Sequence, residues 1–330
     1  MSHFPVTSST LSPAHLARFL QEHYTLSENV SCGILKTGIN DTYLVNTSAG
    51  KFVFRIYSLQ WRSVGEIAEE LRLIGHLKAN NISLSYPIPN KNGTFIEELN
   101  APEGTRYGVL FSYAKGEKLH NYDPAQHYKL GMLMAQMHQL TENYELARPR
   151  YDVNSLVLEP MEEIKNFLPN DTVEMGFLKK AQQYLLDEFD KVNESDLRKG
   201  ALHLDIWFDN INIDSQDNIT IFDFDFCGNG WLCLDIAYYI MQLQYVERDE
   251  NECKLKTGSF LQGYTSIRNL SSEERRIIPM LGLSLYFFYM GTQCRRFDNW
   301  SNVFLNETYL KRYIMMIVKR YADINGLNIS

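Results

Sequence analysis

Three side chains on one short stretch of this chain could do chemistry together. The segment His203-Leu204-Asp205-Ile206-Trp207-Phe208-Asp209-Asn210 reads H-x-D-x-x-x-x-N, and Asp223 follows 18 residues after Asp205. Between Asn210 and Asp223, two Ile-rich runs flank Gln216-Asp217-Asn218, which predicts strand, turn, strand. Asn210 precedes the first strand and Asp223 ends the second, so a hairpin would bring them close. Asp205 then shares a loop with Asn210. One carboxylate can take the proton of a hydroxyl, while an amide oxygen and a second carboxylate hold a divalent cation. Magnesium favours such oxygen ligands, few from protein and the rest from water and phosphate. These are the working parts of phosphoryl transfer. Read instead as turn and cap residues, Asp and Asn would serve nearby backbone, which leaves their joint spacing unexplained. Read as a D-x-D metal site of a glycosyltransferase, Asp223-Phe224-Asp225 leaves Asp205 and Asn210 without a role.

Other elements must position that stretch. Residues 11–23 predict an amphipathic helix with Ser12 as N-cap and Pro13 at its first position. Residues 32–57 are rich in Val, Ile, Tyr and Phe, broken at 38–41 and at 48–50, and predict strands joined by a turn at Ala49-Gly50. The last of them, Lys51 to Tyr57, carries Arg55 near its end. Residues 63–79 change to helical period, with Ile67, Leu71, Ile74 and Leu77 on one face. Further β-type runs are Tyr86–Pro89, Thr94–Ile96 and Tyr107–Phe111. Beyond a connector at 114–118 the chain reads as mainly helical, as at 127–140 and 174–192. The expected organisation is an N-terminal lobe at 1–111, a connector at 112–120 and a larger C-terminal lobe at 121–330.

The motifs resemble those of the aminoglycoside phosphotransferase and choline kinase superfamily. In layout the chain looks closest to type II homoserine kinase-like and bacterial stress-response kinase proteins. The resemblance covers most of the chain and implies an α+β, two-lobed protein kinase-like fold: a small N-terminal lobe with an antiparallel sheet plus a helix, and a larger, mainly helical C-terminal lobe. It implies an ATP- and magnesium-dependent phosphotransferase that moves the γ-phosphoryl group to a hydroxyl of a small molecule, such as an antibiotic, an amino-acid-like compound or another metabolite. A protein Ser/Thr kinase of the stress-response type is the alternative, followed by a non-catalytic pseudokinase. By position, Asp205 would be the catalytic base and Asn210 and Asp223 the magnesium ligands. Asp225 would be a second metal or acceptor contact. Gly38-Ile39-Asn40 would cover the phosphates, Arg55 and Glu70 would form the phosphate-anchoring pair, and the backbone at Ser112 and Ala114 would bond adenine. Asp235 would cap a helix of the C-terminal lobe, and His203 would support the loop. Leu204 departs from the family, where Gly is usual, and so do the bulky Trp207, Phe208 and Asp209. Trp207, Tyr289, Arg295 and Arg296, with Tyr238, Tyr239, Tyr286 and Trp300, would shape the acceptor pocket, the arginines taking an acidic group.

Composition sets the bounds. The 330 residues carry 32 Lys+Arg against 40 Asp+Glu, a formal net charge of −8, which argues against a nucleic-acid partner. Five cysteines without C-x-x-C spacing predict reduced thiols and neither disulfides nor zinc. No signal peptide is visible, which predicts a cytoplasmic protein. The apolar run 279–291 is shorter than the roughly 20 residues a bilayer needs, so a buried helix is expected rather than a membrane span. The 20 Tyr, 18 Phe and 4 Trp fit either a thick core or a stacking surface.

Overall fold

Chain order and local chemistry first build a sheet with two helices. Residues 4–119, 121–296 and 304–329 are described by the structure, a computed structural model. Trp300 lies outside the described residues. Helix α1 (Pro13–His23) leads to strands β1 (Ser31–Lys36), β2 (Asp41–Thr47) and β3 (Gly50–Ile56), then helix α2 (Val64–Ala79) and strands β4 (Ile96–Ala101) and β5 (Gly104–Ser112). The five strands form one antiparallel sheet in the order β1-β2-β3-β5-β4. Its core packs Leu16, Leu20 and Tyr24 of α1 against Tyr43, Val45, Phe54, Ile56, Leu99 and Leu110. α2 starts on a capping box, Ser63 with Glu66, and buries Ile67, Leu71, Ile74 and Leu77 as its period predicts. Glu70 is buried on that face too.

The β-type reading of 86–89 does not hold as a strand. Two prolines cost it ladder donors, and only an isolated bridge, Pro87 to Phe111, forms there. Conversely, β4 runs through Glu97-Glu98-Leu99-Asn100, which looks too polar for a strand. Its period of two explains it: Glu97, Leu99 and Ala101 face inward, and Glu97 bonds His23 Nδ1 (3.1 Å) and Asn90 Nδ2 (2.9 Å).

After the sheet come α3 (Pro124–Thr141), α4 (Glu159–Lys165), α5 (Val173–Phe189), β6 (Lys199–Leu202), β7 (Ile211–Ile213), β8 (Ile219–Ile221) and β9 (Gly228–Trp231). Then follow α6 (Cys233–Val246), α7 (Glu250–Ile267), α8 (Ser272–Arg295), α9 (Glu307–Tyr313) and α10 (Lys319–Ile324). β6 pairs with β9, and β7 with β8. α8 contains the apolar run 279–291. By length and composition it could cross a membrane, yet 72% of its apolar window is buried inside the protein. α3 and α7 approach very closely because each offers a glycine. A Cβ on Gly131 would stand 2.0 Å from the Phe260 carbonyl oxygen, and one on Gly263 1.9 Å from that of Tyr128.

The chain divides into two compact units, Met1–Glu117 with Thr220–Phe222, and Lys118–Ile219 with Asp223–Ser330. Residues 220–222 join the first unit by pairing with 83–85: Ser85 N donates to Ile221 O (2.9 Å) and Ile221 N to Ser83 O (3.2 Å). All five cysteines are free thiols.

Candidate active site

In the second unit, β6 delivers the chain into the loop 203–210. Buried groups from three helices fix that loop. Asp235, in the first turn of α6, accepts from the backbone N–H of His203 (3.1 Å) and Leu204 (2.6 Å). His138 of α3 donates from Nε2 to Asp235 Oδ2 (3.1 Å), and its Nδ1 lies 2.9 Å from the Tyr264 hydroxyl of α7. Burial pushes the Asp235 carboxyl up, but the His138 hydrogen bond and neighbouring His138 and His203 outweigh it, and the carboxyl is held below its ordinary value. The N-cap reading of Asp235 is thereby corrected. Leu232 occupies the cap position, and Asp235 serves the loop instead.

Leu204 has φ 60°, the left-handed region that a Cβ disfavours by roughly 1–2 kcal/mol. Asp235 holds its N–H, and Tyr289 of α8 donates its hydroxyl to the Leu204 carbonyl (2.6 Å). That positive φ is the physical reason Gly suits this position.

Asp205 leaves this support with its carboxylate gripped at both oxygens. Asn210 Nδ2 donates to Oδ2 (2.7 Å) and to the Asp205 carbonyl (3.0 Å), and the Tyr238 hydroxyl of α6 donates to Oδ1. His203 Nδ1 accepts from the Asp205 N–H (3.2 Å), and its ring packs on Phe224 at 4.2 Å, so it braces the loop. Because Asn210 spends its amide nitrogen on Asp205, its carbonyl oxygen is the end left to meet a cation. An amide oxygen from Asn210 and a carboxylate from Asp223 are oxygen donors of the kind that magnesium takes. Among the described residues no group of three or more His, Cys, Asp or Glu could hold a metal.

Asp223 sits at φ 68°. The chain after it is pinned by two residues the sequence reading missed. Arg148 donates to the carbonyls of Asp225 and Cys227 (2.9 Å to Cys227), and the Tyr151 hydroxyl to that of Phe226 (2.6 Å). Asp225 itself is buried. No local motif marks Arg148 or Tyr151, whose partners lie more than 70 residues away.

The expected acceptor residues separate. Tyr289 braces the loop, its ring edge-to-face with Phe226 and Phe288 and tilted against Tyr238. Trp207 packs on Phe208 at 4.4 Å, beside Asp209, which pairs with Lys118 (2.7 Å). Arg295 is exposed and pairs with Glu163 (3.2 Å) and Glu159 (3.8 Å) of α4. Arg296 is the C-cap of α8. Tyr286 packs with Tyr313 and Tyr321 in the helical core.

In the first unit, Arg55 and Glu70 meet. Arg55 Nη1 donates to Glu70 Oε1 (3.0 Å), and the Tyr57 hydroxyl to Oε2 (3.0 Å). Both charges are buried, so neither partner can be removed without stranding the other. The turn 38–40 is tied to the end of β3: Asn40 Oδ1 accepts from Ser58 N (3.2 Å), and the Ile39 carbonyl from the Ser58 hydroxyl. Gly38 shows no positive φ and no crowding at a built Cβ, so neither requires a glycine there. Ser112 spends its N–H on the Tyr86 carbonyl (2.8 Å), and its carbonyl accepts from the Ser85 hydroxyl (2.6 Å). Ala114, two residues on, is buried. Arg106, also missed, donates to Asp41 Oδ2 (2.8 Å) and to the Tyr57 carbonyl (2.9 Å), locking β2, β3 and β5.

Known proteins share this plan. The model of the phosphotransferase enzyme family (APH) matches residues 33–266. A homoserine kinase of Agrobacterium fabrum is 27% identical over 280 residues, 83% of this chain and 83% of that one. The structure of a microcompartment-associated aminopropanol kinase matches with TM-score 0.78 at 20% identity, covering 96% of this chain and all of that one. An amicoumacin kinase solved with AMP-PNP and Ca2+ matches with TM-score 0.77 at 20% identity, covering 97% and 95%.

Proposed function

The chain belongs to the phosphotransferase enzyme family and is a phosphotransferase, and we propose that it moves the γ-phosphoryl group of ATP, with magnesium, to a hydroxyl of a small molecule. The observation that carries this reading is the Asp205 carboxylate, held by Asn210 and Tyr238 on a loop fixed by Asp235. A general base must keep one orientation toward the hydroxyl it serves, and two donors give it that. The names of the homoserine, aminopropanol and amicoumacin kinases support a small-molecule acceptor.

In the proposed reaction the acceptor hydroxyl attacks the γ-phosphorus in line. A bond forms from its oxygen to phosphorus, the bond from phosphorus to the β–γ bridging oxygen breaks, and ADP leaves with that electron pair. Asp205 takes the hydroxyl proton. Tyr238 keeps its own proton, because burial raises its pKa far above the ordinary value, so it remains a donor to Asp205 at working pH. Asn210 and Asp223 would hold magnesium, which when bound offsets charge on the transferring phosphates. Arg55, oriented by Glu70, would hold phosphate oxygens through the planar guanidinium. Since the Ser112 N–H is spent within the first unit, the N–H that serves adenine would come from 113–116.

Asp205→Ala and Asp223→Asn should each reduce ADP release in the presence of acceptor by at least about a hundredfold, with circular dichroism unchanged. Normal turnover by folded Asp223→Asn protein would overturn the assignment.

A further inference from the structure

The residue before Asp205 is held against its own backbone preference. Among the described residues, those other than glycine with positive φ include Asn29, Asn81, Asn143, Asp217 and Asp223, whose types tolerate that region. Leu204 is the apolar one, and its side chain is fully buried. Two hydrogen bonds bracket it. Asp235 accepts from its N–H (2.6 Å), and Tyr289 donates to its carbonyl (2.6 Å). We infer that Tyr289 is a positioning residue for Asp205, and that it acts by holding Leu204 in the left-handed conformation. The inference rests on the phosphotransferase reading above and names a group that keeps its proposed base aimed.

Chain geometry gives the first reason. With its N–H fixed by Asp235, a Leu204 that relaxed to negative φ would swing its carbonyl away from Tyr289 and re-aim Asp205. Left unsupported, a residue with a Cβ disfavours the left-handed region by about five- to thirtyfold. Such conformers persist only where the surroundings over-determine them. Here the packing of the Leu204 side chain, Asp235 and Tyr289 do so together. The second reason is that Tyr289 is itself held. Its ring meets Phe288 at 5.1 Å and Phe226 at 5.6 Å, both edge-to-face. Loss of water around its hydroxyl, then the nearby Asp205 charge, push its pKa well above the ordinary value, so it stays a donor at working pH. Third, the two tyrosines divide the work. Tyr238 donates to the Asp205 carboxylate, and Tyr289, with its ring 5.5 Å away, holds the backbone that leads into it. Tyr289 also stands in hydrogen-bond contact with Tyr238. Removing its hydroxyl therefore touches both contacts, and only a change at residue 204 separates them.

Leu204→Ala and Leu204→Gly make that change. Both lose the buried side chain, and only glycine also loses the Cβ that disfavours positive φ. ADP release from magnesium-ATP is measured with homoserine, 1-amino-2-propanol or water as acceptor. Tyr289→Phe should lower kcat by about three- to tenfold in the wild-type and Leu204→Ala chains, the worth of one hydrogen bond, with KM little changed. In the Leu204→Gly chain it should lower kcat by less than about twofold, because glycine keeps the conformation without help. Hydrogen exchange of a peptide covering 203–206, which needs no substrate, should rise about threefold or more with Tyr289→Phe when residue 204 is Leu or Ala, and hardly change when it is Gly. Should the glycine variant not fold, Leu204→Asn, close in size and tolerant of positive φ, takes its place against Leu204→Ala. Equal falls in the Ala and Gly chains would assign the effect to the Tyr238 contact and overturn the inference. Unchanged kcat and exchange in folded Tyr289→Phe protein overturn it too. The expected exchange pattern, with no ADP release from wild type, would leave the Tyr289 clamp standing and overturn the phosphotransfer reading alone.

Discussion

Asp205 owes its geometry to groups near and far in sequence. Asn210 is five residues away, close enough that H-x-D-x-x-x-x-N signals the pair. Tyr238 is 33 residues away on another element, and nothing local marks it. Tyr238 is a positioning residue, so Tyr238→Phe should lower kcat by about tenfold or more with KM little changed, because a loosely held base is misaligned. Steady-state kinetics with a separate measurement of folding checks this; equal falls in activity and folded fraction would refute it. His127 supplies a pH effect. Burial, then nearby Lys256, lower its pKa from 6.5 to about 4 in the folded chain. The unfolded chain therefore binds more protons between pH 6.5 and 4. Stability from this site is complete above 6.5 and is lost as pH falls through about 4, by up to roughly 3 kcal/mol. Urea unfolding at pH 7 and 4.5 should show a smaller acid loss in His127→Gln than in wild type.

At the scale of elements, tight packing and buried polar ties hold the Asp205 loop. The α3–α7 contact depends on Gly131 and Gly263, where a methyl group would run into backbone. Gly131→Ala or Gly263→Ala should part the helices and destabilise the chain by about 1–3 kcal/mol despite alanine's better helix propensity. Both helices carry members of the Tyr264–His138–Asp235 chain, so activity should fall further than the loss of folded protein explains. Thermal melting paired with a turnover assay measures both. The helices near 11–23, 63–79, 127–140 and 174–192 were readable because apolar period is a local signal. β4 was readable only in part, because the inward Glu97 looks like a surface residue until His23 and Asn90 are seen beside it.

For the whole molecule, ligand linkage gives a direct check on the proposed cofactors. Magnesium-ATP at a hundred times its Kd should stabilise the chain by about 2.7 kcal/mol, seen as a rise in melting temperature that EDTA reverses and Asp223→Asn lacks. The aromatic richness noted in the sequence resolves into distinct uses. Tyr286, Tyr313 and Tyr321 pack the helical core, Tyr238 and Tyr289 brace the loop, and Tyr122, Trp207, Phe208 and Tyr239 line a cavity within the second unit. By itself the sequence determined the helices near 11–23, 63–79, 127–140 and 174–192, the strand-turn-strand after Asn210 and the motif joining Asp205 to Asn210, because period and turn spacing act over a few residues. Tertiary structure alone decided that Asp235 serves the loop rather than a helix cap, that Arg295 pairs with α4, and that Arg148 and Arg106 lock distant segments. Such outcomes depend on which groups meet after the chain has folded back on itself. A side chain's burial and its partners, unlike its periodicity, are not written in its neighbours.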